Sequence, residues 1–403
     1  MATTNLPAFQ PRLIFEASPD ITRSYFLGHH QAALSRMRST LSNVGLIIEC
    51  RDFRVPLTSW NPLLERSLAA SASPAADRAR IIVYTKRDLG PPPGDGAGPQ
   101  QRGQQQNGSD IVRELTRFHR ERGHAAAVVF LGQGTGGRGG GGRGEGGGGG
   151  FGFDDDRVLL SAVKRVAREA DVLTGLQVMV VGMPNAGKST LLNRLRARGM
   201  GPGLAKAART GAQPGVTRKM GTAVRIVRGE DCGGPGGRGG EGVFVLDTPG
   251  VFVPHVSDAE SMLKLALVGC VKDGLVPHVA VADYLLFHLN RVDPALYARY
   301  APPTNDVDEF LAAVARRTGK LLRGGAPSID GAADWIVQEW RRGDLGRFVL
   351  DEVSPQTLDA VVASARAPVL SMNQARKKDK EARKAKIDAR RLGGGAPAGQ
   401  AGA

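Results

Sequence analysis

The sequence predicts an α/β fold, a mostly parallel sheet with helices on both faces, followed by a small all-α region and a basic tail. Three observations carry this prediction. Apolar, β-branched runs alternate with helical patterns up to about residue 256, as the strands and crossover helices of a parallel sheet do. Gly182 to Thr190 has the full G-x-x-x-x-G-K-[ST] spacing between an apolar run and a helix start, the form of a phosphate-binding P-loop. From Asp258 onward the pattern is helical alone.

The elements follow in order. Leu34, Met37, Leu41 and Val44 keep the three-and-four spacing of an amphipathic helix, so the second half of 21–42 is helical. Gly45 to Cys50, Ala79 to Thr85 and Ala125 to Leu131 read as strands. A helix over Arg157 to Leu173 precedes the strand Leu176 to Val181, and another helix begins near Thr190. After a basic connection, Ala205 to Met220, come two strands, Gly221 to Val227 and Gly242 to Leu246. The stretches near 90–108, 132–152 and 233–242 are dominated by glycine, with proline, glutamine or arginine. They cannot bury enough side chain to fold and read as disordered insertions on surface loops, where added length costs little. The expected organisation is an N-terminal segment 1–20, a sheet domain 21–256, a helical domain 257–350 and a basic, largely disordered tail 351–403. Within that tail, Met372 to Arg391 carries nine Lys/Arg against three acids.

Composition narrows the function classes. A net charge of +15 over 403 residues favours a polyanionic partner, RNA or an anionic membrane surface. No run of eighteen apolar residues occurs, so no transmembrane helix is expected. Three cysteines (Cys50, Cys232 and Cys270) without metal-ligand spacing exclude a disulfide scaffold and fit a reducing compartment. The first eighteen residues lack the apolar core of a secretory signal. They are acid-poor but also arginine-poor, which leaves a mitochondrial presequence open.

In the P-loop, backbone N–H groups point at phosphate oxygens and the following helix adds positive potential. Asn185, Ala186, Gly187, Lys188, Ser189 and Thr190 are the expected phosphate contacts. Lys188 reaches the β- and γ-phosphates, and the Ser189 hydroxyl ligates Mg²⁺. Asp247-Thr248-Pro249-Gly250 closes a second apolar strand. A carboxylate there suits Mg²⁺ or its waters, and the Gly250 N–H reads the γ-phosphate. Between the two motifs, Thr217 is the candidate third Mg²⁺ contact, with Thr210 the weaker alternative. Thr85-Lys86-Arg87-Asp88 ends a clean strand and resembles the guanine-reading [N/T]-K-x-D motif. Asp88 would accept from guanine N1–H and N2–H₂, which adenine does not offer in that form, while the Lys86 stem lies along the base and Thr85 stands where asparagine is usual.

The order of these motifs is unusual. The base reader precedes the P-loop, which a linear P-loop domain does not allow and a circularly permuted one does. With this order the chain resembles the YlqF/RbgA-type circularly permuted GTPases that assemble the large ribosomal subunit, in particular their mitochondrial members, in a fungus. Phe26 to His30 is similar to the family's F-x-G-H-M opening, and Asp52 to Pro62 to its D-A-R-x-P-x-S-x-x-N-P segment. Gln213 to Thr217, Leu265 to Asp273 and Gly343 to Arg347 match further family segments. The resemblance runs from about Ser24 to Leu350.

The resemblance implies a switch that binds GTP and GDP, needs Mg²⁺, and partners the large subunit of the mitochondrial ribosome. It also implies peripheral association with the inner membrane on the matrix side, and a monomer off the ribosome. Val251 and Phe252 stand where a Ras-like enzyme places a water-orienting glutamine. The family's histidine for that task falls on His29, which is equally read as a capping histidine at a helix start. Asn185 matches the family position that holds K⁺ near the phosphates, or else stabilises the turn. Arg54 and Arg218 are alternative sources of positive charge for catalysis or for RNA phosphates. The fifth motif of such a domain, due after Val128 to Leu131, is not legible beside the glycine insertion. Other readings are a GTP-controlled RNA-binding or translation-regulating module with little turnover, a bacterial-type or cytoplasmic assembly GTPase, and a P-loop ATPase or nucleotide kinase.

Overall fold

A computed structural model describes residues 9–18, 21–22, 28–62, 79–93, 106–122, 125–132, 156–201, 205–208, 211, 221–232, 240–252, 256, 258–366, 374, 377 and 381, with backbone alone for 28–33. The centres of the three expected insertions, the loop bearing Thr210, Thr217 and Arg218, and most of the tail beyond 366 lie outside the described residues.

Six strands form one sheet: β1 Leu46–Asp52, β2 Ala79–Thr85, β3 Ala127–Phe130, β4 Leu176–Gly182, β5 Val224–Val227 and β6 Val243–Asp247. Their order is β3-β2-β1-β4-β6-β5. All neighbours are parallel except β5, which runs antiparallel to β6 at the edge. A chain entering at β4 and finishing at β3 would trace this same sheet with the P-loop first, so the permutation moves the chain ends and leaves the sheet intact.

The pleat separates the two faces. Ile47, Met179 and Val181 pack under α1 (Gly28–Thr40) with Leu34, Met37 and Leu41. Ile82, Tyr84 and Phe130 on the same face pack under α2 (Gly108–Glu121) with Ile111, Leu115 and Phe118. Ile48, Val83, Val178 and Val180 face the other way, onto α3 (Asp156–Ala170) and α4 (Lys188–Met200). Between the clusters of the first face sits a buried polar group: Glu49 pairs with Arg51 at 2.7 Å and with Arg80. The Arg51 guanidinium lies 4.4 Å from the Trp60 ring.

Among the described residues five α-helices of more than one turn follow: α5 Ala259–Leu267, α6 His278–Val292, α7 Val307–Thr318, α8 Ile329–Arg342 and α9 Pro355–Arg366. Asp258 caps α5 by accepting from Ser261 N at 2.6 Å, and Asp306 caps α7 by accepting from Asp308 N and Glu309 N, which supplies orphan donors of the first turn. The first four helices share one core, including Leu263, Leu285, Phe310, Ile336 and Trp340. Among the described residues no helix is long and apolar enough to cross a membrane.

Two expected boundaries shift. The tail does not begin at 351. Leu350 N donates to Arg54 O at 2.8 Å, and Asp351 accepts from Leu57 N, Thr58 N and Thr58 Oγ1 at 2.9, 2.8 and 2.6 Å. Val353 and Leu358 then enter the core under α2, so α9 is packed on the sheet domain. Its few apolar side chains sit next to a charge-rich stretch, which masked the signal. Nor is the N-terminal segment separate throughout. Phe15 sits edge-on to Tyr284 with centroids 5.0 Å apart, and Arg12 pairs with Asp283 of α6.

The Asp351 latch is a testable stability element. Its buried carboxylate also faces Lys264 at 3.4 Å, so Asp351→Ala leaves two amide donors unpaired and Lys264 with Glu260 as its remaining partner. The expected cost is about 3 kcal/mol, read as a lower urea midpoint with α9 protected less from hydrogen exchange.

Candidate nucleotide site

Parallel sheets bind ligands at the carboxyl ends of their strands, and here the ends of β2, β1, β4 and β6 lie side by side. The P-loop leaves β4 through a turn with positive φ at Asn185 (56°) and Gly187 (83°). A Cβ on Gly187 would also lie 3.4 Å from Thr85. Lys188 and Ser189 stand in the first turn of α4, where unpaired N–H groups and the helix dipole favour an anion.

Lys188 is buried, and its ammonium donates to Met183 O at 2.7 Å and Gly182 O at 3.2 Å, the carbonyls of its own loop. Burial depresses its basicity, and the neighbouring Asp247 carboxylate opposes that shift. The Cys50 thiol beneath is itself pushed up to about 12 by burial, so it stays neutral beside the loop.

The Ser189 hydroxyl donates to Asp247 Oδ2 at 2.7 Å. Asp247 Oδ1 is buried without a hydrogen-bond partner among the described residues. Two adjacent hard oxygens, one of them an unsatisfied carboxylate oxygen, fit Mg²⁺, which takes few protein ligands and completes its shell with phosphate and water oxygens. Thr248 Oγ1 donates to Val180 O at 2.6 Å and locks this strand end beside the P-loop. Gly250 presses on the loop so closely that a Cβ would lie 2.5 Å from Pro184 Cα.

At the base-reading end, the Thr85 hydroxyl reaches Ala186 O at 3.0 Å and Arg51 O at 3.2 Å. It ties the reader to the P-loop instead of pointing at a base. Lys86 adopts a left-handed backbone (φ 57°) and its ammonium lies 2.8 Å from Asp52 Oδ2. Asp88 sits in the short turn Arg87–Leu89, backed by Gly132, whose Cβ would be 3.3 Å from that of Asp88. Residues 131 and 132 thus reach the place where the fifth motif is due, and the chain beyond Gly132 lies outside the described residues.

Other candidates are redistributed. Arg54 is no free charge: it is buried, donates through Nε and Nη2 to Asp52 at 3.0 and 2.8 Å and to Val268 O at 3.3 Å, and lies 5.0 Å from the Trp340 ring. That removes it as a catalytic or RNA-binding arginine. The Asn185 amide donates to Gly269 O at 2.6 Å, which engages its nitrogen. His29 stands in the first turn of α1, and its side chain, like Thr217, lies outside the described residues.

Sequence reasoning missed Asn61, whose amide donates to Val251 O at 2.7 Å, and Asp52. Both belong to the Asp52 to Pro62 segment, quoted for its resemblance without a role. Val251 is buried in the α1 cluster and Phe252 in the helical core, so neither faces a nucleotide as a water-orienting group.

A family model described as "50S ribosome-binding GTPase" matches residues 177–317. Mitochondrial GTPase 1 of Schizosaccharomyces pombe is 34% identical over 351 residues, covering 87% of this chain and 95% of the relative. The chain belongs to the mitochondrial GTPase 1 family. As a member it is a GTP-hydrolysing enzyme with a permuted P-loop domain, as the strand order shows. Mitochondrial ribosome-associated GTPase 1 of Xenopus tropicalis is 28% identical over 341 residues, 81% of this chain and 94% of the relative. Among solved structures, GNP-bound YlqF from T. maritima aligns over 80% of this chain and 99% of its own, at 21% identity and a TM-score of 0.45.

The buried carboxylates set an acid limit for this family member. Burial alone would raise Asp52 and Glu49. The Arg54 and Lys86 charges outweigh it at Asp52, as Arg51 and Arg80 do at Glu49, and hold both below their ordinary 3.8 and 4.5. A carboxyl depressed in the folded state contributes stability that is complete above its unfolded pKa and lost as pH falls below it. Urea midpoints are expected to hold between about pH 7 and 5 and to fall steeply below about pH 4. Arg80→Gln flattens that fall.

Proposed function

We propose that this chain is a GTP-hydrolysing switch in assembly of the large subunit of the mitochondrial ribosome. The observation that carries the reading is the meeting of the Thr85 to Asp88 reader, the P-loop and the Asp247 to Gly250 motif at one sheet edge. The relatives' names, mitochondrial GTPase 1 and mitochondrial ribosome-associated GTPase 1, support a mitochondrial setting and a ribosomal partner.

Asn185 through Thr190 and Gly250 hold the phosphates, and Lys86 and Asp88 hold guanine, with Thr85 fastening the reader to the loop. Ser189, Asp247 and Thr217 hold Mg²⁺, which neutralises phosphate charge. Asn185, its amide nitrogen engaged, offers its oxygen to K⁺. With Val251 and Phe252 buried, water orientation falls to His29. The α1 helix that carries it packs through Leu34 and Met37, with Leu41 of the turn that follows, in one cluster with Val251, so the helix rides on the segment after Gly250. Turnover is slow until a partner seats that helix, as suits a checkpoint.

The partner is an RNA-rich surface. Arg316, Arg317, Lys320 and Arg323 lie at and just beyond the carboxyl end of α7, and all four are exposed; the tail adds further cations. The chain acts in mitochondria, on the matrix side of the inner membrane, as a monomer off the ribosome. A GTP-controlled RNA-binding module with little turnover is the second reading, favoured by the buried Val251 and Phe252.

Turnover of GTP and ATP, with and without mitochondrial large subunits, in K⁺ and in Na⁺, separates these readings. The switch predicts GTP preference, K⁺ dependence and stimulation by the subunit. Absence of stimulation leaves the binding module, and absence of GTP preference overturns the base reader. His29→Ala is expected to lower stimulated turnover about 10²- to 10⁴-fold with GTP affinity unchanged. Replacing Arg316, Arg317, Lys320 and Arg323 by glutamine is expected to flatten the salt dependence of subunit binding, by about one unit of slope for each phosphate no longer neutralised.

A further inference from the structure

The strand ends place β1 between the base reader on β2 and the P-loop on β4. Its last residue, Asp52, pairs in register with Thr85 and is fully buried. Its carboxylate gathers four donors. Arg54 N and Nε approach Oδ1 at 3.0 Å each, and Arg54 Nη2 and Lys86 Nζ approach Oδ2 at 2.8 Å each. Lys86 comes to that oxygen by leaving β2 with a left-handed backbone, a conformation that non-glycine residues adopt only where their surroundings impose it. Backbone bonds from Arg87 N to Leu131 O and from Leu89 N to Lys86 O hold that turn, and the ion pair fixes the lysine side chain across the end of β1. A flexible four-carbon stem loses rotamer freedom when it docks on a ligand, and a fixed ammonium removes that cost before the base arrives. The same carboxylate holds Arg54, whose other contacts are Val268 O behind α5 and the Trp340 ring on α8.

We infer that Asp52 is the positioning residue of the guanine reader: it presets the Lys86 stem along the base and anchors it, through Arg54, to the helical region. This rests on the guanine-reading role proposed above for Lys86 and Asp88. Asp52 touches no nucleotide; it acts through Lys86.

The test uses the full chain and ribose-labelled GDP, with tripolyphosphate as a probe of the phosphate end alone. Asp52→Asn is expected to weaken GDP about tenfold and to leave the inhibition constant of tripolyphosphate unchanged. With Lys86→Met already present, Asp52→Asn changes GDP affinity no further, the coupling that a double-mutant cycle reads. If Asp52→Asn does not fold, Asp52→Glu, which keeps the charge but displaces it, decides on the same two measurements. Equal loss of GDP and tripolyphosphate binding, additive effects with Lys86→Met, or unchanged GDP affinity each overturn the assignment. Asp88→Ala is the separate control. If it leaves GDP affinity intact, the base reader itself fails; if it weakens GDP while Asp52→Asn does not, only the role of Asp52 fails.

Discussion

The carbonyl oxygens at the carboxyl end of α5 must find donors, because a helix leaves its last carbonyls unpaired and this end is buried. The donors arrive from three directions. Arg341 of α8 donates to Ala266 O at 2.7 Å and Leu267 O at 2.9 Å. Arg54, from the base-reading side, takes Val268 O, and Asn185, from the P-loop, takes Gly269 O. Gly269 makes the turn possible with a φ of 81°, and Gly269 N and Cys270 N close back on Ala266 O and Leu265 O. Four consecutive carbonyls therefore join the base side, the phosphate side and the helical region. A displacement of α5 would break the hydrogen bonds of Arg54 and of Asn185 in the P-loop, so these carbonyls tie the helical region to the sheet domain.

The strand that leaves Asp247 to Gly250 feeds this junction. Val251 enters one core and Phe252 another, while Val251 N donates to Gly182 O at 3.2 Å and Asn61 holds Val251 O. In a linear P-loop domain the corresponding segment returns to the sheet. Permutation sends it instead into α5, so the segment after Gly250 ends in the helical region. The apolar residues after Gly250 join two cores, and the same choice leaves no water-orienting side chain at those positions.

Much of this was legible along the chain. Strand existence follows from short β-branched runs, and the P-loop, Asp247 to Gly250 and Thr85 to Asp88 are recognisable because phosphate, Mg²⁺ and guanine each demand fixed residue types at fixed spacing. Ala79–Thr85 stands as expected, while other strand ends moved by up to three residues, since hydrogen bonding between neighbours, not local preference, decides where pairing stops. Asp52 continues β1 past Cys50 because Thr85 pairs with it. The packing of α9 was not legible: the cluster it shares with Phe53, Leu57 and α2 joins segments far apart in sequence, and a weak apolar pattern beside a cationic run does not reveal a distant partner.

By itself the sequence determined the kind of chemistry, the strand and helix types and the permuted order, because these depend on residue identity and short spacing. Only the tertiary structure decided how the motifs are fastened together. Arg54 is read from sequence as a spare cation and becomes a buried tie, Thr85 becomes a link to Ala186, and Asp52 becomes the anchor of Lys86. Burial and pairing with residues far away in sequence set those roles, for a buried charge acts according to what compensates it.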